Sequence, residues 1–231
     1  SPVVHFSWEP KNLEQALIEM CRELGKEADE VRQAIEKARA AQDSFYASLK
    51  RRGKEVLQNL KEGERGMVIV SRPYNGCDPG VNLGLPQKLR DLGVIAIPMD
   101  FLPLDEVDLD CLPLDEMALL DDGQDMYWKY GQKIYSAAHI IHDDPRLYAI
   151  YITNFACGPD SFILHFFKEK MRGKPYLQIE VDEHSADVGA ITRLEAFLDS
   201  LKNIRKDHQQ EERKPKTVVV THDANHRKVY V

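Results

Sequence analysis

No stretch of this 231-residue sequence approaches the roughly 18–20 consecutive apolar residues that span a bilayer. The longest apolar run, around Val94 to Met99, is strand-sized and ends at Pro98-Met99-Asp100. A membrane-spanning helix is therefore excluded, and no membrane partner is expected. The N-terminus also lacks a charged-then-apolar leader, so no secretory signal is expected and the predicted location is cytoplasmic. Ser1 at the start and the abrupt stop after the strand-like Lys228 to Val231 suggest a piece of a longer protein. Cysteine pairs are missing too: Cys21, Cys77, Cys111 and Cys157 are scattered without a C-x-x-C spacing. Inside a cell such thiols stay reduced, so each is a core residue, a nucleophile or a metal ligand rather than half of a disulfide. An excess of base is absent. There are 31 Lys and Arg against 38 Asp and Glu, a net charge of −7, with acid gathered in 105–125 and 180–187. Nucleic-acid binders present a basic face, so no nucleic-acid partner is expected. Repeats of solenoid length do not occur.

What is present is an ordinary globular composition, 43% hydrophobic and 30% charged, enough for one large domain or one domain with an appendage. Residues 1–65 read as a helical N-terminal segment. Leu13, Leu17, Met20 and Leu24 recur at helical spacing, with Cys21 on the same stripe and therefore expected in a core. Gly25 interrupts the run. A longer stretch then carries Val31, Ile35, Ala38, Phe45, Leu49, Leu57 and Leu60 among alternating charges, closed by Gly63 and Gly66.

From residue 66 to 204 the texture changes to short β-branched runs alternating with amphipathic stretches. Strands are predicted at Met67 to Val70, Val94 to Ile97, Tyr148 to Ile152 and Pro175 to Val181. Helices are predicted at Leu85 to Leu92, Met126 to His142, Pro159 to Met171 and Gly189 to Lys202. Continuous apolar strands are buried on both faces. The predicted fold is α/β: a Rossmann-like or flavodoxin-like parallel sheet with helices on both faces. Residues 205–231 read as a hydrophilic linker leading to Thr217 to Val220 and Val229 to Val231, the start of a second lobe.

In an open parallel sheet, ligands bind beyond the carboxyl ends of the strands. The first strand exits into Ser71-Arg72-Pro73-Tyr74-Asn75-Gly76-Cys77-Asp78-Pro79-Gly80 and the third into Thr153-Asn154-Phe155-Ala156-Cys157-Gly158-Pro159-Asp160-Ser161. The fourth exits into Asp182-Glu183-His184-Ser185-Ala186-Asp187. The third exit is the most telling. Gly158-Pro159 opens a helix, and Asp160 and Ser161 serve its free N–H groups. Cys157 lies just before that end, where the helix favours a thiolate, the form that attacks carbon or binds metal. The alternative is a small apolar filler in a tight turn.

Cys77, on the same edge, is a candidate for a shared metal, whereas Cys111 has no assignable role. Gly76, Gly80 and Gly84 match neither G-x-G-x-x-G nor G-x-x-x-x-G-K-S/T, so dinucleotide binding is unsupported. Arg72 either holds a phosphate or carboxylate or makes an ion pair with the acidic fourth exit. His184 is either a ligand or proton carrier or simply hydrogen-bonded to its acidic neighbours. The aromatics of 126–132 are expected to anchor their helix against the sheet, with Tyr130 or Gln132 available to the site.

Two passages carry a resemblance: Ser71-Arg72-Pro73-Tyr74-Asn75 continuing to Asn82-Leu83-Gly84-Leu85-Pro86, and Thr153 to Phe162 together with Asp182-Glu183-His184. From about Val68 to Leu201 the chain resembles the dehydratase-component-like part of the large CoA-substrate-specific enzyme activases. Those are relatives of the 2-hydroxyacyl-CoA dehydratase subunits and the double-cubane-cluster proteins. The resemblance implies a lobe that helps hold an iron–sulfur cluster, expected as 4Fe-4S, fed with electrons by an ATP-hydrolysing activator domain or subunit. An acyl-CoA substrate is a further expected partner, and a dimer is the expected assembly. Cys157 carries over onto the family pattern as the metal ligand, with the other ligands expected outside this chain. Asn154, Gly158, Asp160 and Ser161 would shape the loop, and Arg72, Tyr74, Asn75 and His184 would line the pocket. The rival expectations are a thiol-dependent acyl-CoA-binding enzyme, with Cys157 as nucleophile and His184 as base, and a scaffold lobe without metal.

Overall fold

The computed structural model describes residues 10–61, 63–107, 128–182, 184 and 187–213, with backbone alone at 187 and 204–213. The described residues divide into two compact units, one within residues 10–64 together with 100–107 and the other within 65–99 together with those from 128 onward. Cys111 and the strand-like stretches at 217–220 and 229–231 lie outside the described residues.

The first unit is built on α1 (Pro10–Glu23) and α2 (Ala28–Asn59). Gly25, at φ 73°, turns the chain between them where a side chain would be strained. The start of α2 is closed by the Glu27 N–H donating to Glu30 Oε2 at 3.1 Å. The two helices pack together, and Arg32 on α2 donates to Glu14 on α1 at 2.9 Å. The expected apolar stripe is covered only in part. Leu24 is 73% exposed, Phe45 56%, and Cys21 is half-buried rather than in a core. One close approach is built in: a Cβ on Gly53 would lie 1.9 Å from the Phe101 carbonyl oxygen.

The second unit holds the parallel sheet foreseen from the apolar runs. Its strands are β1 (Gly66–Val70), β2 (Ile95–Pro98), β3 (Leu147–Asn154) and β4 (Tyr176–Val181), in the order β2-β1-β3-β4 and all parallel. The helices are α3 (Pro73–Cys77), α4 (Leu85–Asp91), α5 (Lys129–Asp143), α6 (Gly158–Lys170) and α7 (Asp187–Arg213). Side chains alternate across each strand. Met67 and Ile69 with Ile150, Ile152, Ile179 and Val181 form one apolar layer against Leu85 and Leu89 of α4 and Ala190, Leu194 and Phe197 of α7. On the opposite face Tyr151 meets Phe167 of α6, and α6 packs on α5. Both faces are thus covered, which is why the strands read as unbroken apolar runs.

Two elements and one packing expectation of this unit differ from the sequence reading. Residues 205–213, expected as the start of a linker, run on as helix in α7, their Lys, Gln, Glu and Arg being good helix formers. The glycine-rich first exit contains a short helix, α3, started by Pro73 at its first turn. The described aromatics at the start of α5 are not buried against the sheet: Trp128 and Tyr130 are about two-fifths exposed, Trp128 packing on Phe162 of α6, whereas Tyr135 further along α5 is fully buried and packs on Phe166. Met126 and Tyr127 lie outside the described residues.

Candidate functional site

A strand order of 2-1-3-4 reverses direction between β1 and β3, and the crevice beyond their carboxyl ends is where such sheets bind ligands. The two exits that flank it are the ones carrying Arg72 and Cys157. Each is fixed by local chemistry. In the first, Asp78 Oδ1 accepts the N–H groups of Gly80 and Val81 at 2.8 and 3.2 Å. Asn82 donates to the Gly76 carbonyl at 2.9 Å and accepts from Gly84 at 3.0 Å. These are the self-bonded turns that Asn and Asp favour. In the third exit, Phe155 N–H bonds to Val181 O on β4 (3.0 Å), and Ala156 takes a left-handed φ of 55°. That conformation, costly for a residue with a Cβ, delivers Cys157 to the N-cap of α6. Phe155 itself is left 68% exposed.

The Cys157 sulfur is half-buried and surrounded by donors. Its Sγ accepts the Asp160 N–H at 3.3 Å, so the thiol stands where a Ser or Asp oxygen usually caps a helix. Arg72 Nη2 lies 2.6 Å from the same sulfur and also bonds the Tyr74 hydroxyl. Arg72 stacks over the Tyr74 ring at 4.7 Å. Its Nε is 2.9 Å from Asp160 Oδ1, an ion pair in which the N–H does not point along a hydrogen bond. Among the described residues Arg72 therefore pairs with an acid of the third exit, Asp160, rather than with one of the fourth as the sequence also allowed. The reason is topological: β1 neighbours β3 directly and β4 lies one strand further away. Ser161 Oγ donates back to the Cys157 carbonyl at 2.8 Å. Nothing stands within 4 Å of where a Gly158 Cβ would be, so the backbone at the start of α6 is open.

Several buried polar atoms near these exits have no hydrogen-bond partner: both side-chain atoms of Asn75 (0% exposed), Asn154 Oδ1 and the Tyr151 hydroxyl. Burial, then the negative charges of Asp160 and Cys157, push the Tyr151 phenol above its ordinary value. Tyr74 is shifted upward as well, first by burial, with Arg72 opposing. Both phenols therefore stay neutral donors at physiological pH. His184 is exposed in the fourth exit, its backbone N–H donating to Asp182 Oδ1 at 2.9 Å. The partners of Cys157 do not include it. Cys77 is exposed at the end of α3 and is not a partner of Cys157 either.

The sequence reading missed Thr153. This buried threonine, at the end of an otherwise apolar strand, donates its hydroxyl to Asp160 Oδ2 at 2.9 Å. The signal was available: Thr153 follows Tyr151 at period two and so shares the face covered by α6.

An iron–sulfur cluster is held by several thiolates. Among the described residues no group of three or more His, Cys, Asp or Glu side chains is arranged to hold a metal ion. The arrangement suits a single sulfur ligand with N–H donors on it, not a complete cluster site.

Among known proteins, no curated protein and no solved structure matches the chain. Residues 1–102 match the model of one family, described as the CoA enzyme activase uncharacterised domain, so the part of the chain that runs through β1, Arg72 and β2 is similar to a CoA enzyme activase domain.

Proposed function

We propose that this chain is a lobe of an ATP-dependent reductive system of the CoA enzyme activase type, in which Cys157 serves as one thiolate ligand of an iron–sulfur cluster. One observation carries the reading: the Cys157 sulfur receives the Arg72 guanidinium and the Asp160 N–H, and among the described residues its partners include no base. Donors directed at a sulfur disperse its charge and weaken it as a nucleophile, while hydrogen bonds to ligand sulfurs are a principal means of setting a cluster's potential. The rival reading, a nucleophile with His184 as its base, needs that imidazole on the sulfur, and among the described residues the partners of Cys157 are Arg72 and the Asp160 N–H instead. The cluster would supply one-electron chemistry. This chain's residues would hold it through Cys157 and screen its charge through Arg72, and the remaining thiolates would come from outside the described residues. The family match supports a CoA-enzyme-activase-like setting. Within it the partner would be an ATP-hydrolysing activator domain or subunit and the eventual substrate an acyl-CoA.

Anaerobic reconstitution of the full-length protein with iron and sulfide tests this. The expected result is a brown protein with an electron paramagnetic resonance signal after reduction, lost in Cys157→Ser. A colourless, silent protein that turns over an acyl-CoA through a fast-alkylating Cys157 would instead establish the thiol enzyme. Activity untouched by Cys157→Ala would leave only a scaffold.

A further inference from the structure

Thr153 carries a role that goes beyond the cluster reading and rests on the geometry of the chain alone. Four side chains form a line across the β1/β3 crevice. The Thr153 hydroxyl donates to Asp160 Oδ2 (2.9 Å), Asp160 Oδ1 stands 2.9 Å from Arg72 Nε, and Arg72 Nη2 stands 2.6 Å from Cys157 Sγ. Thr153 is 4% exposed and the Asp160 side chain 2%. At such burial water competes poorly, and a hydrogen bond fixes an orientation that would otherwise be free. The terminal torsion of an aspartate is broad, so without the hydroxyl the carboxylate can turn away from Arg72. The Arg72 side chain, 23% exposed and stacked on the exposed Tyr74 ring, has an outward position to take.

We propose that Thr153 is a positioning residue for Cys157: by orienting the Asp160 carboxylate it keeps the Arg72 guanidinium on the sulfur. The charge that the sulfur sees is thus set from a residue that does not touch it. Asp160 acts twice, through its backbone N–H on Sγ and through its carboxylate on Arg72.

The test is charge-selective alkylation of Cys157 in the full-length chain, without cluster, at one pH and low salt. Iodoacetate and iodoacetamide are nearly the same size, so the ratio of their rates cancels the fraction of thiolate and the access to it. The ratio reports the local charge. The Cys157 peptide is followed by mass spectrometry to separate it from the other three cysteines. Arg72→Gln should lower the iodoacetate-to-iodoacetamide ratio by roughly threefold or more, the Coulomb effect of one charge about 6 Å away in a water-like dielectric. Thr153→Val and Thr153→Ala, which leave every charge in place, should lower it in the same direction by less, and Thr153→Ser should keep the wild-type ratio. A wild-type ratio in both Thr153→Val and Thr153→Ala, with Arg72→Gln lowered, overturns the positioning role. An unchanged ratio in Arg72→Gln overturns the whole line. If Thr153→Val loses its circular dichroism spectrum, Thr153→Ala decides. The measurement needs no bound cluster, so failed reconstitution and failed positioning are separate results.

Discussion

The two units of this chain are held by different forces. In the helical unit, α1 has no buried residue, and α2 buries only Val31 and Gly53 along 32 residues. Its shape rests on helix propensity, a capped N-terminus and ion pairs such as Arg32–Glu14 and Lys50–Asp105, all exposed and each worth little. In the sheet unit every residue of β1 is buried, and β3 is buried at six of its eight positions. Chemistry that needs a fixed geometry belongs on the second kind of scaffold, and the Arg72–Cys157 contact spans two of its strand exits. Elements with little buried apolar contact open first, whereas a packed sheet opens only with the whole unit.

Substitutions sharpen that contrast. Phe167, fully buried against Tyr151 and Tyr176 at 4.9 and 5.3 Å, carries the face of β3 that also holds Thr153. Phe167→Ala should cost about 3–5 kcal/mol in denaturant unfolding, and it should disturb the site along with the fold. Gly53→Ala in the helical unit meets a backbone oxygen at 1.9 Å, so something must move. Because the clashing atoms are backbone, the helix or the 99–101 turn must shift, and the expected cost is about 1–3 kcal/mol, with the alkylation of Cys157 unchanged. Equal costs for the two would mean that the helical unit is packed as tightly as the sheet, and the comparison would fail.

The same contrast explains what could be read from the residues. Buried strands announce themselves: Val68 to Val70 and Ala149 to Ile152 sit where their apolar runs predict, and the Gly158-Pro159 start of α6 sits where its capping chemistry predicts. Convergence of the first and third exits followed from the parallel sheet. The partner of Arg72 did not, because which acid a long side chain reaches depends on strand order, which no local pattern encodes. α3 stayed hidden because Asn75, Gly76 and the following Asp-Pro-Gly read as loop, while its short turn is held by Pro73 and by bonds from Asn82. The stripe of α1 was legible as a helix but not as a surface. Periodicity shows that Leu17 and Cys21 share a face and leaves open how much of it is covered.

The central claim is that Cys157 is presented as a metal-binding sulfur at the β1/β3 crevice, and iron and acid-labile sulfide analysis of the full-length protein purified without oxygen tests it most directly. The account predicts iron and sulfide in the wild type and their loss in Cys157→Ala at an unchanged circular dichroism spectrum. Equal iron and sulfide in the two proteins would contradict it.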